Sequence, residues 1–172
     1  MSLMGIRGKG KDVVMENKRN RTFEDLVSER FAEPEDLVLL RNILIDKNIV
    51  ILGNKTTGLP LLIAIICDVM RDELGINPYT VYETDYDYSY KFRTLTYNLG
   101  KYKRVIFQQI SNISTLLDAE EVMKKGMPVI ACLDVDTNVP KEFHNFDYII
   151  EMTYGNPPHI AEIRKAPKKY IK

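Results

Sequence analysis

A phosphate group is readily held where a short glycine-bounded loop joins a buried strand to a helix, because backbone N–H groups and the helix dipole both point at it. Gly53, Asn54, Lys55, Thr56, Thr57 and Gly58 have that spacing, G-x-x-x-x-G. Loops of this kind that turn over nucleoside triphosphates carry a Lys after the second glycine to reach the outer phosphates. A Ser or Thr then follows to hold magnesium. Here those two places are Leu59 and Pro60. Leucine brings no charge. Proline has neither hydroxyl nor N–H, yet it sits comfortably in the first turn of a helix. The pattern predicts the strand–loop–helix geometry without the two groups that act on a phosphoryl. Lys55 has two readings: a displaced cation that neutralises a phosphate, or a solvated loop lysine.

Other candidates are weaker. Glu83 and Asp87 could share a cation or be solvated acids past a strand end. Tyr79, Tyr82, Tyr86, Tyr88 and Tyr90 invite base stacking, but few Lys or Arg are interleaved, so packing or subunit contact is the better expectation. The even spacing of the last four suits one face of an extended segment. His144 and His159 have no partner at ligand spacing and read as surface residues. No metal site and no Ser-His-Asp or Cys-His arrangement can be argued.

The elements that would position the loop are legible. Thr22 and Pro34 each open a helix signal with acids in the first turn. Asn48 to Leu52 is a continuous β-branched apolar run, as in a strand buried on both faces of a parallel sheet. A helix follows from about Pro60 to Glu73, closed near Gly75. Strands fit Tyr79 to Tyr82, Arg104 to Gln108, Pro128 to Leu133, Tyr148 to Met152 and Ile160 to Ile163. A helix fits Ser114 to Lys125, and residues 83–103 hold irregular structure and a short helix. Alternating strand and helix imply a mostly parallel α/β sheet with flanking helices.

Length and composition agree. The 172 residues suffice for one globular domain, assigned to 22–172, after a basic, flexible tail over 1–21. The opening Met-Ser-Leu before Met4 reads as a vector remnant. Hydrophobic residues make up 45% and charged residues 28%, which excludes disorder. The 24 basic and 24 acidic side chains cancel, so no global field points to nucleic acid or an acidic membrane. Cys67 and Cys132 lie inside apolar runs and read as reduced core residues. The longest apolar stretch, Leu59 to Cys67, is too short to span a bilayer.

From Thr22 onward the chain resembles the secretion and pilus-assembly ATPases of the type II/type IV superfamily. Thr-Phe-Glu-Asp-Leu-Val at 22–27 is similar to that family's lead-in helix. Leu37 to Leu52 is similar to its helix and first core strand. Gly53 to Leu62 sits where the family has a Walker A loop ending in Gly-Lys-Thr-Thr-Leu. Its acidic box corresponds to Tyr82-Glu83-Thr84 and then Asp87, keeping Glu83 but placing Thr84 for an Asp. Its Walker B region corresponds to Ile106-Phe107-Gln108-Gln109-Ile110-Ser111, with Gln109 for the catalytic Glu and Ser111 for an Arg. Its Thr-Leu-His corresponds to Cys132-Leu133-Asp134, with Asp134 for the His. The stretch from Phe146 to Lys165 resembles its closing hairpin. The match runs over about residues 22–165.

The resemblance implies a three-layer RecA-like P-loop NTPase fold. It also implies ring-forming oligomers in the cytoplasm, peripheral to a membrane secretion machine. The departures fall on the groups that do chemistry, so the leading expectation is a pseudo-ATPase kept for assembly or protein interaction, without a cofactor. The family's separate N-terminal domain has no counterpart in these residues. A second reading is a module that binds ATP or phosphate through Gly53 to Leu59 and Lys55 without efficient turnover. A third is an active ATPase with an unrecognised base. Neither nucleic-acid binding nor membrane insertion is expected.

Overall fold

The computed structural model describes residues 21–134, 136 and 143–168, Lys55 by its backbone alone. The tail expected over residues 1–21 lies outside this range except for Arg21, whose guanidinium pairs with Glu29 at 3.2 Å.

Two helices lead in, α1 (Phe23–Ser28) and α2 (Pro34–Asp46). Asp25 starts α1 by accepting the Thr22 N–H at 2.8 Å, and Asp36 accepts the Glu33 N–H at 3.0 Å beside Pro34. Strand β1 (Ile49–Gly53) follows, then a 3₁₀ turn at Lys55–Thr57 and the long helix α3 (Leu59–Glu73). Next come β2 (Tyr79–Tyr82), α4 (Tyr88–Tyr97), a short 3₁₀ turn at Leu99–Lys101 and β3 (Val105–Ile110). The chain continues through α5 (Ile113–Lys124), β4 (Val129–Asp134), β5 (Tyr148–Thr153) and β6 (His159–Lys165).

The six strands form one sheet in the order β2-β3-β4-β1-β5-β6. The first five are parallel and β6 runs antiparallel to β5. Strand alternation divides the core in two. Ile49, Ile51, Ile106, Ile130, Cys132 and Ile150 pack with α1, α2 and α3. Val50, Leu52, Phe107, Val129, Ala131, Leu133 and Ile149 pack with Leu95 of α4 and Leu116, Ala119 and Val122 of α5. All five residues of β1 are buried, which is why its apolar run is unbroken.

Three details differ from expectation. Helix α5 starts at Ile113, capped by Asn112, whose side chain accepts the Thr115 N–H at 3.0 Å. The tyrosines do not share an extended face: Tyr82 ends β2, Tyr86 lies in the following turn, and Tyr88 and Tyr90 are already helical. The turn at Asp85 N–H to Tyr82 O ends the strand. Arg104, expected only as the start of a strand, is wholly buried. Its guanidinium donates to the carbonyls of Ile43 (3.1 Å), Leu44 (2.6 Å) and Lys47 (2.5 Å), closing the C-terminal end of α2. Burial lowers its pKa to about 10, offset in part by Asp46 and Asp147.

Candidate functional site

In an open α/β sheet the carboxyl ends of the strands and the loops beyond them form the natural crevice. Here β1, β3 and β4 end around a cavity of about 320 Å³. Gly53, Asn54, Leu59 and Pro60 line it from the loop, Thr84 from beyond β2, Gln109 and Ser111 from β3 and its end, and Asp134 from β4. The register places Gly53 beside Asp134 on adjacent strands. Residues scattered over more than eighty positions in sequence are thus brought together.

The loop is folded on itself. The Asn54 N–H donates to Thr57 Oγ1 at 2.8 Å, and the Thr57 hydroxyl donates back to Asn54 O at 3.0 Å. The Asn54 carboxamide oxygen accepts from the Thr56 N–H at 2.9 Å and the Thr57 N–H at 3.2 Å. The Leu59 N–H reaches Asn54 O at 3.2 Å. Four N–H groups of the loop, at 54, 56, 57 and 59, therefore have partners within it. Leu59 is 7% exposed and belongs to the core under α1–α3. Gly58, the other tentative phosphate contact, has φ +81°, and a Cβ there would meet Phe31 and Pro158 at 3.2 Å each. At Gly53 a Cβ would come within 2.8 Å of Thr57 Oγ1.

On the β3 side, Gln109 adopts φ +59° at a register shift between β3 and β4. A non-glycine residue in this region is held there by its surroundings. Glu83 is tied to the start of α5: it accepts from the Ser111 N–H at 3.1 Å, from Asn112 Nδ2 at 2.8 Å and, by a short bond, from the Ser111 hydroxyl. Asp134 accepts the Asp136 N–H at 3.0 Å. Asp87 lies 3.7 Å from Lys91, which also binds Asp85 at 2.8 Å. Glu83 and Asp87 thus have different partners, against the reading in which they share a cation. No group of three or more His, Cys, Asp or Glu among the described residues is placed to hold a metal.

Most of the remaining candidates have packing or hydrogen-bond partners. Tyr79 packs on Tyr102 at 4.7 Å between centroids, and the Tyr88 hydroxyl donates to Asp118 at 2.8 Å. Burial, with that bond to Asp118, pushes the Tyr88 phenol far up. His144 Nδ1 lies 2.9 Å from Pro167 O and His159 Nδ1 3.1 Å from Pro157 O. Cys132 is buried and Cys67 partly so, and burial raises both thiols. Asn112 escaped the sequence reading, although an Asn before an apolar helical stripe is a cap signal.

Five parallel strands, one antiparallel edge strand, helices on both faces and a strand–loop–helix turn at the central strand define the fold of RecA-like secretion ATPases. Three of the solved structures it resembles illustrate this. The VirB11 ATPase of the Brucella suis type IV secretion system, in complex with sulphate, superposes with TM-score 0.56 at 13% identity over 93% of this chain and 65% of that one. The pilus retraction motor PilT with bound ADP gives 0.55 at 11% identity over 81% and 53%. The Legionella pneumophila ATPase DotB gives 0.52 at 15% identity over 73% and 45%. The chain thus spans about half to two thirds of the length of these proteins. No protein-family model and no curated protein matches the chain. No helix among the described residues is long and apolar enough to cross a membrane.

Proposed function

We propose that this chain is a secretion-ATPase-like domain that does not hydrolyse ATP and serves as an assembly or protein-interaction module. The observation that carries this reading is the loop: the N–H groups of residues 54, 56, 57 and 59 are bonded inside it, and the residue after its second glycine is a buried leucine. Phosphoryl transfer is catalysed mainly by preorganised positive charge and donors around the phosphoryl oxygens. A carboxamide at Gln109 cannot accept a proton from water, and Pro60 offers no hydroxyl to magnesium. In this reading the partners are proteins, either further copies of the chain or a membrane secretion machine, and the domain works at its cytoplasmic periphery.

A second reading is favoured by the cavity at the loop and by the sulphate and ADP carried by two structural neighbours. In it, Lys55 and the loop bind a nucleotide or phosphate without efficient turnover. Titration calorimetry with ATP and magnesium separates the two. The expected result is no saturable heat at millimolar ATP. Sub-millimolar binding that is lost in Lys55→Ala establishes the second reading instead. Steady-state phosphate release is expected at background, and turnover abolished by Gln109→Ala overturns both.

A further inference from the structure

A strand at the edge of a sheet keeps half of its N–H and C=O groups turned outward. Strand β6 is at such an edge, with β5 as its neighbour in the sheet. The Ala166 N–H donates to Asp147 O. Alternation along this antiparallel pair turns the backbone groups of Glu162 and Arg164 towards β5 and those of Ile163 and Lys165 outward. Ile160 also faces outward, and Phe31 O takes its N–H at 2.7 Å. Among the described residues, no hydrogen bond meets the outward groups of Ile163 and Lys165. Ala161, Glu162 and Lys165 are exposed, and Ile163 and Arg164 are half-buried. The open stretch is therefore 161–165, bounded by the Phe31 contact and by the end of the strand, with Ile163 at its middle.

An open edge can take up an extended chain, and the side chains along it select which one. Arg164 shares a sheet face with Ile149, away from α1–α3. It pairs there with Glu151 at 2.5 Å and lies 3.4 Å from Glu162. A second copy of β6, laid antiparallel about a two-fold axis at Ile163, meets outward groups with outward groups. Ile163 and its copy then exchange two hydrogen bonds, and residues 162 and 164 oppose each other where side chains approach most closely. Glu162 of each copy stands opposite Arg164 of the other, twice over. Arg164 has donors enough to keep Glu151 as well. Sliding the copy by two residues sets Glu162 against Glu162 or Arg164 against Arg164, and like charges directly opposite are destabilising. Lys165, of a type that guards edges, meets Ala161 and no like charge. We propose that β6 pairs with β6 of a second copy in this register, joining two sheets about a two-fold axis. The contact lies apart from the loop at Gly53 to Gly58 and is indifferent to whether nucleotide binds there.

The test combines sedimentation velocity with residue-resolved hydrogen exchange on the full chain. Association is expected to rise with concentration, and the amides of Ile163 and Lys165 to exchange more slowly as it does. The Ile160 amide, already bonded to Phe31, is expected not to respond. Glu162→Arg alone and Arg164→Glu alone each set like charges opposite one another at both pairs. Each should weaken the dimer about tenfold or more. Mixed in equal amounts, the two variants face each other with opposite charges at both pairs, and association is expected to return. A strict monomer at millimolar chain overturns the proposal, as does association that leaves exchange at Ile163 unchanged. Slow exchange at Ile163 that is the same at every concentration assigns the edge to a segment of the same chain and overturns it too. So does a mixture that associates no better than its components. Failure on any of these counts leaves the reading of the loop standing, because that reading is tested by ATP binding and turnover.

Discussion

Residue 59 decides more than the presence of a charge. A lysine there would start from a backbone whose N–H is already bonded to Asn54 O and from a side-chain position 7% exposed in the core. Restoring Leu59→Lys together with Pro60→Thr is therefore expected to leave phosphate release at background, since the loop donors remain engaged and Gln109 supplies no base. Measurable turnover in that double variant would show that the loop reopens at little cost. Gly53 has a packing role instead: Gly53→Ala drives a methyl to 2.8 Å from Thr57 Oγ1 and 3.2 Å from Met152. A loss of about 1–3 kcal/mol in urea unfolding is expected, typical of overpacking. The two glycines and Pro60 were readable as a turn between a strand and a helix. The inward bonding of Asn54 was not, because it depends on a side chain turning back onto N–H groups two and three residues ahead.

At the scale of elements, short local signals proved sufficient and long-range ones did not. Strand β1 was legible because burial on both faces demands an uninterrupted apolar run. The tyrosines were misplaced because an even spacing was taken for a strand, while a tight turn at Asp85 ends β2 and lets α4 begin at Tyr88. Arg104 carried no signal: its role exists only because the end of α2 arrives beside the start of β3. Arg104→Met should strip three carbonyls of their donor and cost at least about 2 kcal/mol in chemical unfolding. Asn112→Ala removes the cap of α5 and a tie to Glu83, with an expected loss of about 0.5–2 kcal/mol. The Tyr88–Asp118 bond joins α4 to α5 and carries a pH signature. Below pH 10 the phenol is protonated in both folded and unfolded chains. Above it the unfolded chain ionises first, so this group's stabilisation is lost as pH rises. The stability of Tyr88→Phe should accordingly fall less steeply than wild type above pH 10.

For the whole molecule, the mostly parallel sheet and its flanking helices followed from the alternation of strand and helix, whereas the strand order did not. What the molecule meets was not written in that alternation. Tyr90 and Tyr97, seven residues apart on α4, are both exposed, as are Ile113 and Leu117 on α5. A domain kept for assembly should use such surface. Sedimentation velocity is expected to show concentration-dependent association that weakens in a Tyr90→Ser, Tyr97→Ser double variant, with monomer stability unchanged within about 0.5 kcal/mol. A strict monomer at high concentration would count against self-assembly.

The sheet is a laminate: one set of strand side chains is bonded by packing to α1–α3, the other to α4 and α5. The cleft opens across the lamination, with Leu59 rooted in one layer and Gln109 and Ser111 leading from β3 into the helix of the other. An occupant that touched both layers would act as a rivet. A ligand present at ten times its dissociation constant adds about 1.4 kcal/mol of stability. Here that gain would resist delamination, so a rise in melting temperature would report occupancy.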